Sequence, residues 1–207
     1  MESKFNFNNL IVLDIANNHQ GSLEHGLRII RETSLVVKKF TDFKVVFKFQ
    51  FRQLDSFIHK DHKKNLDHKM VKRFTETRLE RNDFEVLLSE IRKLGHYSAC
   101  TPFDEESVAV IEDMGFDLLK VASCSAKDWP LMERVSESYL PVIFSSGGLT
   151  IPDIDKVISF CHHRGIDFSL MHCVSMYPTP SEKCQLNTIE FLRNRFPNLV
   201  IIWSTHE

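Results

Sequence analysis

Residues 167–180 read Asp-Phe-Ser-Leu-Met-His-Cys-Val-Ser-Met-Tyr-Pro-Thr-Pro. The stretch begins as a short apolar run that follows Gly165, and this pattern predicts a buried strand. The strand then reaches the polar residues His172, Cys173 and Ser175 and turns into a Tyr-Pro-Thr-Pro loop, whose prolines exclude a helix interior and a central strand. A buried strand that ends in polar side chains and a stiff loop is typical of the catalytic rim of a barrel enzyme.

Composition bounds the classes of function. The chain has 207 residues, of which 43% are hydrophobic, so it can bury the core of one domain or of part of a larger one. A net charge of -2 gives no field that would recruit nucleic acid or an anionic membrane. The five cysteines follow no pattern, and the N-terminus has no apolar segment typical of a signal peptide. We therefore expect free thiols, a cytoplasmic location, and neither a nucleic-acid nor a membrane partner.

Short apolar runs alternate with amphipathic segments along the whole chain, as in repeated βα units. Asn82 and Glu85 have the spacing of a capping box, and Gly95 predicts the end of that helix. Strands are predicted at 9–16, 44–50, 97–101, 117–122, 141–145, from Asp167, and at 199–203. Helices are predicted from Ser22, at 83–94 and 105–114, through Leu131 and Val135, from Thr150 with Pro152, and at 187–195.

This order predicts an α/β fold with a parallel sheet. A doubly wound sheet would place its ligand groups at one switch point, usually with a glycine-rich phosphate turn, and the sequence contains no such turn. Polar residues instead end nearly every strand, which favours a TIM-type (β/α)8 barrel. Such barrels need about 250 residues. We therefore predict one catalytic-type barrel domain over 1–207, incomplete and truncated after about seven strands.

Several of these strand ends resemble one family. Leu170-Met171-His172-Cys173 with Tyr177-Pro178-Thr179-Pro180 is similar to the segment that marks the sialic acid synthases, which condense phosphoenolpyruvate with an N-acyl hexosamine. Lys48-Phe49-Gln50, Thr101-Pro102-Phe103 and Ser145-Ser146-Gly147 also resemble family motifs. The chain is identified as a divergent member that lacks the last barrel strand and the C-terminal antifreeze-like domain.

The resemblance implies which residues hold phosphoenolpyruvate. Lys48 and Gln50 share a face by the period of two, so both point toward the barrel axis. Lys120 would act as a point charge on phosphate or carboxylate, while serine and threonine hydroxyls donate hydrogen bonds. The implied phosphoenolpyruvate-binding residues are Lys48, Thr101, Lys120, Ser123, Ser145, Ser175 and Ser204.

The resemblance also implies a sugar site. Asp14 takes the place of a family glutamate that orients the open-chain sugar, and it is shorter by one methylene. Gln50 and Tyr177 complete the sugar-binding residues, and Asp14, Lys48 and Lys120 are the implied catalytic residues. Where the family usually reads Ser-Gly-Glu, this chain reads Ser-Cys-Ser over 123–125, so the acceptor is open.

His206 matches a family ligand to a divalent metal, usually manganese. One imidazole does not make a metal site. The family's second histidine ligand lies on strand eight, which this chain lacks, and the full-length form is expected to be a homodimer. We expect the longer form to be active and this form to be inactive.

The insertion at 52–81 carries many lysines and histidines, which would also suit a nucleic-acid patch or a histidine metal site. Against these, aromatic residues are sparse among its charges and its histidine spacing fits no standard ligand set. We interpret it as a solvated lid, helical over 69–79, that bears on acceptor specificity. Cys100, Cys124 and Cys173 are predicted to be buried structural thiols.

Other functions stay open at this point. The chain is also compatible with a synthase for another α-keto sugar acid, or with a different phosphoenolpyruvate aldolase-type barrel. A catalytically silent barrel that binds a sugar or a partner chain is the alternative outside enzymes.

Overall fold

The computed structural model describes residues 4–63 and 65–206, and it is of the α/β class. The described chain divides into two compact units. The first unit comprises residues 9–117, and the second comprises residues 4–8 with 118–206. The single domain predicted over 1–207 stays a prediction.

The first unit contains three parallel strands in the order β1-β2-β3. In the register of these strands Asp14 lies opposite Lys48, and Gln50 lies opposite Thr101. Its elements are β1 (Leu10–Asp14), α1 (Leu23–Val37), β2 (Lys44–Phe51), α2 (Leu54–Phe57), α3 (Lys69–Glu76), α4 (Arg81–Lys93), β3 (Tyr97–Pro102) and α5 (Glu105–Met114).

Alternation along β2 separates a helix-facing side from a polar side. Phe49 is fully buried and packs edge-on against Phe84 of α4 and against Phe116. Successive side chains of a strand point to opposite faces, so Lys48 and Gln50 lie on the other face, as predicted.

The sequence predicted the cap of α1 but not that of α4. Ser22 caps α1, since its hydroxyl accepts a hydrogen bond from the backbone N–H of His25. The capping box predicted at Asn82 and Glu85 is wrong, because α4 begins at Arg81 and its N-cap is Glu80. The carboxylate of Asp83 accepts from the N–H of Glu80 at 2.9 Å, so an acidic pair two residues upstream supplies the cap.

The segment 52–81, called the lid segment below, contains α2 and α3. Helix α3 ends at Glu76, three residues before the predicted end. Gly21, in the loop after β1, lies against this helix end: a Cβ atom at Gly21 would stand 2.6 Å from the carbonyl oxygen of Glu76. Gly21 also has a φ of +73°, so both space and backbone conformation require glycine there.

The second unit contains four parallel strands in the order β4-β5-β6-β7. The elements with which it begins are β4 (Leu118–Val121), a 3-10 turn (Ser123–Ser125), α6 (Trp129–Ser136), β5 (Val142–Ser145) and α7 (Ile151–His163). It continues with β6 (Phe168–His172), a second 3-10 turn (Ser181–Lys183), α8 (Asn187–Arg195) and β7 (Ile201–Trp203).

Strand β6 is fixed at both ends. Gly165, with a φ of +68°, ends α7 before it, as predicted. The backbone N–H of Phe5 donates to Asp167 at 2.6 Å, so the N-terminal residues of this unit are tied to the start of the strand, a contact that the sequence did not indicate. At the other end His172 is buried, with its Nε2 atom 3.1 Å from the carbonyl oxygen of Cys184.

Within the described ranges, no helix has the length and apolar character that crossing a membrane requires.

Candidate active site

In the first unit, the predicted residues of β1, β2 and β3 share one face. The Nζ atom of Lys48 lies 2.8 Å from the Oδ1 atom of Asp14. Lys48 is 5% exposed, whereas the side chain of Asp14 keeps 39% of its surface exposed. Because a buried ammonium needs a partner, Asp14, the last residue of β1, stabilises Lys48 on the neighbouring strand β2. This pair is a cation with a carboxylate beside it, which suits the binding of an anionic substrate next to a polar one.

Thr101 and Gln50 lie opposite one another at the carboxyl ends of β3 and β2. Thr101 is 1% exposed, and its hydroxyl has no hydrogen-bond partner among the residues that the structure describes. Buried hydroxyls are usually paired, whereas the Thr101 hydroxyl keeps a hydrogen-bond donor that no described residue accepts. A ligand oxygen on this face would satisfy it.

A cavity of about 320 Å³ adjoins Gln50 in the first unit. It lies between the loop after β1, the end of β2 and the lid segment, and it is of a size that ligand pockets reach. The lining includes polar amides and aromatic carbon, contributed by Asn17, Gln50, Gln53, Phe74 and Phe84.

His19 also lines this cavity but has a structural role. The ring is 3% exposed, and its Nδ1 atom accepts from the N–H of Gly21 at 3.1 Å. Burial lowers the pKa of His19, so the neutral ring is favoured. His19 therefore stabilises the turn after β1.

In the second unit, Lys120, Ser145 and Ser204 share one face. Lys120 lies opposite Ile143, two residues before Ser145, so alternation puts Lys120 and Ser145 on the same side. Ser145 lies opposite Met171, which in turn lies opposite Ile202, two residues before Ser204. Ser145 is 2% exposed, and its hydroxyl lies 3.7 Å from the sulfur of Met171.

A cradle of small polar groups surrounds Gly147, between β5 and α7. The N–H of Gly147 donates to the hydroxyl of Ser123 at 3.0 Å. A Cβ atom at Gly147 would stand 2.6 Å from the hydroxyl of Ser175 and 2.9 Å from both the sulfur of Cys173 and the hydroxyl of Ser123. We call Ser123, Gly147, Cys173 and Ser175 the Gly147 cradle. The Gly147 N–H is occupied by Ser123, so the groups left to donate to an oxyanion here are the Ser123 and Ser175 hydroxyls.

The cradle leads directly into helix α7. Thr150 caps this helix, and Asp153 accepts from the N–H of Thr150 at 3.1 Å, so the predicted cap is confirmed. The pKa of Asp153 is lowered chiefly because its carboxylate accepts from Thr150. The backbone groups at this helix start are thus already satisfied by the cap, and the cradle lies in the preceding turn.

The Tyr-Pro-Thr-Pro loop meets the end of the chain. The rings of Tyr177 and His206 lie 4.3 Å apart between centroids, and the N–H of Thr179 donates to the carbonyl oxygen of His206 at 2.8 Å. Ser204 is held beside β6 because its N–H donates to the backbone carbonyl oxygen of His172 at 2.9 Å. Tyr177, Ser204 and His206 are therefore neighbours of one loop.

These residues do not make a complete metal site. Among residues 4–63 and 65–206, no three histidine, cysteine, aspartate or glutamate side chains are placed to hold one ion. His206 packs against an aromatic ring instead of a second ligand. Manganese therefore stays a prediction, to which this chain would supply the single ligand His206.

The thiols differ from one another. Cys100 is buried, and burial raises its pKa, as expected of a structural thiol. Cys124 is exposed, so its predicted burial is wrong: it lies on the outside of the 3-10 turn after β4. Cys173 is half-buried, with its sulfur 3.4 Å from the hydroxyl of Ser123.

Sequence reasoning missed Arg52. Its Nη2 atom donates to the Oε1 atom of Gln50 at 2.8 Å, and its guanidinium lies over the rings of Phe57, Phe74 and Phe103. An arginine directly after a strand, followed by phenylalanines at scattered positions, was the available signal, but their convergence depends on the folded lid segment.

Comparisons with known proteins agree with this picture. The N-acetylneuraminate-9-phosphate synthase of Drosophila melanogaster is 29% identical over 201 residues, which cover 95% of this chain and 54% of that protein. The chain thus spans about half the length of the curated relatives that it matches.

Two crystal structures superpose closely. One is of a protein from Chromobacterium violaceum assigned as spore coat polysaccharide biosynthesis protein E, with 46% identity, a TM-score of 0.92, and coverage of 97% of this chain and 59% of that one. The other is N-acetylneuraminic acid synthetase from Leptospira borgpetersenii in complex with citrate, with 26% identity, a TM-score of 0.80, and coverage of 96% and 65%. These likenesses confirm the predicted fold class, an incomplete TIM-type (β/α)8 barrel.

The model of the NeuB family matches residues 41–207, which is most of the chain. Its relatives include synthases of sialic-acid type. The resemblance drawn from the strand ends is confirmed, and the chain belongs to the NeuB family.

Proposed function

We propose that the chain is the catalytic-type region of a synthase that condenses phosphoenolpyruvate with an N-acyl hexosamine and releases phosphate. The product would be an α-keto sugar acid of the sialic-acid type. Membership of a family with named sialic-acid-type synthases supports a carbon–carbon bond-forming transferase.

The Gly147 cradle is the observation that carries the donor assignment. Ser123 and Ser175 bring their hydroxyls to the turn at Gly147, where the Gly147 N–H holds the Ser123 oxygen at 3.0 Å. A phosphate oxygen is an acceptor that several such donors can share. We assign the phosphate of phosphoenolpyruvate to this cradle, and Lys120, Ser145 and Ser204 to the same anion.

The first unit has a buried cation of its own. Lys48 is buried and paired to Asp14, so its ammonium is held in place before a ligand arrives. Thr101, on the same face, offers its unsatisfied hydroxyl. We assign both groups to the donor, where they act by preorganised electrostatics.

The proposed reaction balances without a protein nucleophile. C3 of phosphoenolpyruvate attacks the aldehyde carbon of the open-chain sugar, which forms the new carbon–carbon bond and breaks the π bond to the aldehyde oxygen. That oxygen becomes a hydroxyl by taking a proton from the water that adds to C2. Water adds to C2, and the C2–oxygen bond to phosphate then breaks to leave the keto acid and inorganic phosphate. Asp14, Gln50 and Tyr177 are assigned to orienting the acceptor, and Lys48 and Lys120 to holding the anionic donor.

Direct binding tests the donor assignment without requiring turnover. Titration calorimetry of the 207-residue chain with phosphoenolpyruvate should give saturable heat, and Lys48→Met and Ser123→Ala should each weaken the affinity by about tenfold or more. Asp42→Asn is the control, because Asp42 is exposed in the turn before β2. No heat from the unaltered chain, or equal affinity in all variants, would count against the proposal.

Phosphate release from phosphoenolpyruvate with a panel of hexosamines, assayed in a longer form of the protein as well as in the 207-residue chain, tests the reaction itself. Release that depends on one N-acyl hexosamine supports the condensation and identifies the acceptor. Sugar binding without any donor binding would instead support a silent barrel. The homodimer and the cytoplasmic location stay predictions.

A further inference from the structure

We propose that Arg52 is a positioning residue that fixes Gln50 as a hydrogen-bond donor and locks the lid segment over it, and that it thereby controls affinity for the acceptor. The predicted effect on affinity for the acceptor sugar rests on the proposed function. The predicted effect on trypsin cleavage of the lid segment does not depend on that function.

Arg52 stands where strand β2 becomes the lid segment. It follows Phe51, the last residue of the strand, and comes two residues after Gln50. The next residue is tied in the same way: the N–H of Gln53 donates to Asp104 at 3.1 Å, and Asp104 also accepts from the N–H of Ser107 as the cap of α5. The entrance to the lid segment is therefore anchored on the ends of both β2 and β3.

The guanidinium of Arg52 is held by three aromatic rings from separate places in the first unit. Its central carbon lies 4.3 Å from the ring centroid of Phe74 on α3 and 4.3 Å from that of Phe103 after β3. The ring of Phe57 on α2 lies 5.6 Å away and contacts both other rings edge-on. A phenylalanine from each helix of the lid segment thus contacts the same cation, so Arg52 holds the two helices together.

The same guanidinium determines how Gln50 is presented. Arginine offers only donors, so Gln50 must turn its carbonyl oxygen toward Arg52, and the two atoms are 2.8 Å apart. The amide NH2 of Gln50 is then left as the ligand-facing end. Gln50 lines the 320 Å³ cavity with Arg52 and Gln53, so it would donate to an acyl or hydroxyl oxygen of the acceptor.

Lysine cannot reproduce this arrangement. The lysine ammonium is a point charge on a flexible stem. The planar guanidinium of arginine stacks on aromatic faces while its N–H groups donate hydrogen bonds within the guanidinium plane. Arg52→Lys therefore keeps the charge and removes the geometry. Arg52→Met removes both but keeps an unbranched side chain of similar length.

Limited trypsin digestion tests the lock directly. Cleavage at Lys60 and Lys63 should be about tenfold faster in Arg52→Met and intermediate in Arg52→Lys, because the lid segment opens more often when its cation is lost. Arg73→Lys is the matched control, an exposed arginine on α3 of the same segment, and its rate should equal that of the unaltered chain. Circular dichroism establishes that each variant is folded, and equal cleavage rates in folded Arg52 variants would overturn the inference.

Acceptor affinity tests the positioning role. Both Arg52 variants should raise the acceptor dissociation constant about tenfold while leaving that for phosphoenolpyruvate unchanged. Gln50→Ala should have the same effect, and the double variant should be no worse than either single one. Independent, additive losses, or equal losses for donor and acceptor, would overturn the inference. If the unaltered chain binds neither substrate, the proposed function fails, and the cleavage rates alone then decide whether Arg52 locks the lid segment.

Discussion

The ammonium of Lys48 lies 2.8 Å from the carboxylate of Asp14, across two neighbouring parallel strands. The pair is asymmetric, since the lysine is buried and the aspartate is partly exposed. Loss of the aspartate would leave a buried charge without this partner, whereas loss of the lysine would leave a carboxylate that water can reach.

This asymmetry predicts the effect of Asp14→Asn. The free energy of unfolding should fall by about 1–2 kcal/mol, below the range for fully buried pairs, because water reaches the aspartate side. Urea denaturation measures the change, with Asp42→Asn as the exposed control. Adding Lys48→Met to Asp14→Asn should recover most of the loss, and an Asp14→Asn chain of unaltered stability would contradict the pairing.

Gly147→Ala tests the cradle. The new methyl group would meet the hydroxyls of Ser123 and Ser175 and the sulfur of Cys173 at less than 3 Å. These are side-chain atoms that can shift, so we expect a small change in stability but a loss of phosphoenolpyruvate affinity of about tenfold or more, measured by calorimetry.

Gly165→Ala is the matched control for that variant. Gly165 has a φ of +68° and open space around its Cβ position, so alanine there meets backbone strain without blocking the cradle. It should lower stability by about 1 kcal/mol and leave donor affinity unchanged. If both variants had the same profile, the cradle would not be the donor site.

Stability should fall as the pH is lowered from 7.5 to 5.5. Burial lowers the pKa of both His19 and His96 in the folded chain. The unfolded chain therefore binds more protons below about pH 6.5, and the stability that these neutral rings contribute above that pH is progressively lost.

Urea midpoints at the two pH values measure this dependence. In His96→Gln the difference should shrink, although the bond between Ser34 and the ring Nε2, 2.8 Å long, is lost at both pH values. His59→Gln, at an exposed position of the lid segment, should retain the full difference. An increase in stability toward pH 5.5 would refute the assignment.

Thiol alkylation should follow exposure. Cys124 is exposed and should react first, followed by Cys173. Cys161 should stay unmodified, because burial raises its pKa to about 12 and few thiolates form. Peptide mass spectrometry gives the order, and phosphoenolpyruvate should protect Cys173 in the cradle but not Cys124. Protection of Cys124 alone would place the donor elsewhere.

The sequence predicted the features that depend on a local pattern. The alternation of Val46, Lys48 and Gln50 against Phe47 and Phe49 is a property of one strand, and it predicted correctly which side chains share a face. Gly165 and Thr150 likewise act through their own backbone and nearest neighbours, so their roles at the helix ends could be predicted.

Features that depend on distant residues were missed. The cage around Arg52 brings together Phe57, Phe74 and Phe103, and nothing in their spacing indicates one cluster. The exposure of Cys124 depends on how the 3-10 turn after β4 is oriented, which a strand-end position alone does not determine. The predicted cap of α4 lies two residues late because asparagine is a preferred N-cap residue and glutamate is not, so residue type alone favours Asn82 over Glu80.

Gly21 imposes a constraint on anyone who wishes to redesign acceptor choice. The carbonyl of Glu76 approaches it so closely that even a methyl side chain would push the end of α3 outward. A lid transplanted from a relative would therefore have to bring a helix that terminates at the same height, or the loop after β1 would have to travel with it. The loop after β1 and the lid segment would therefore have to be exchanged together.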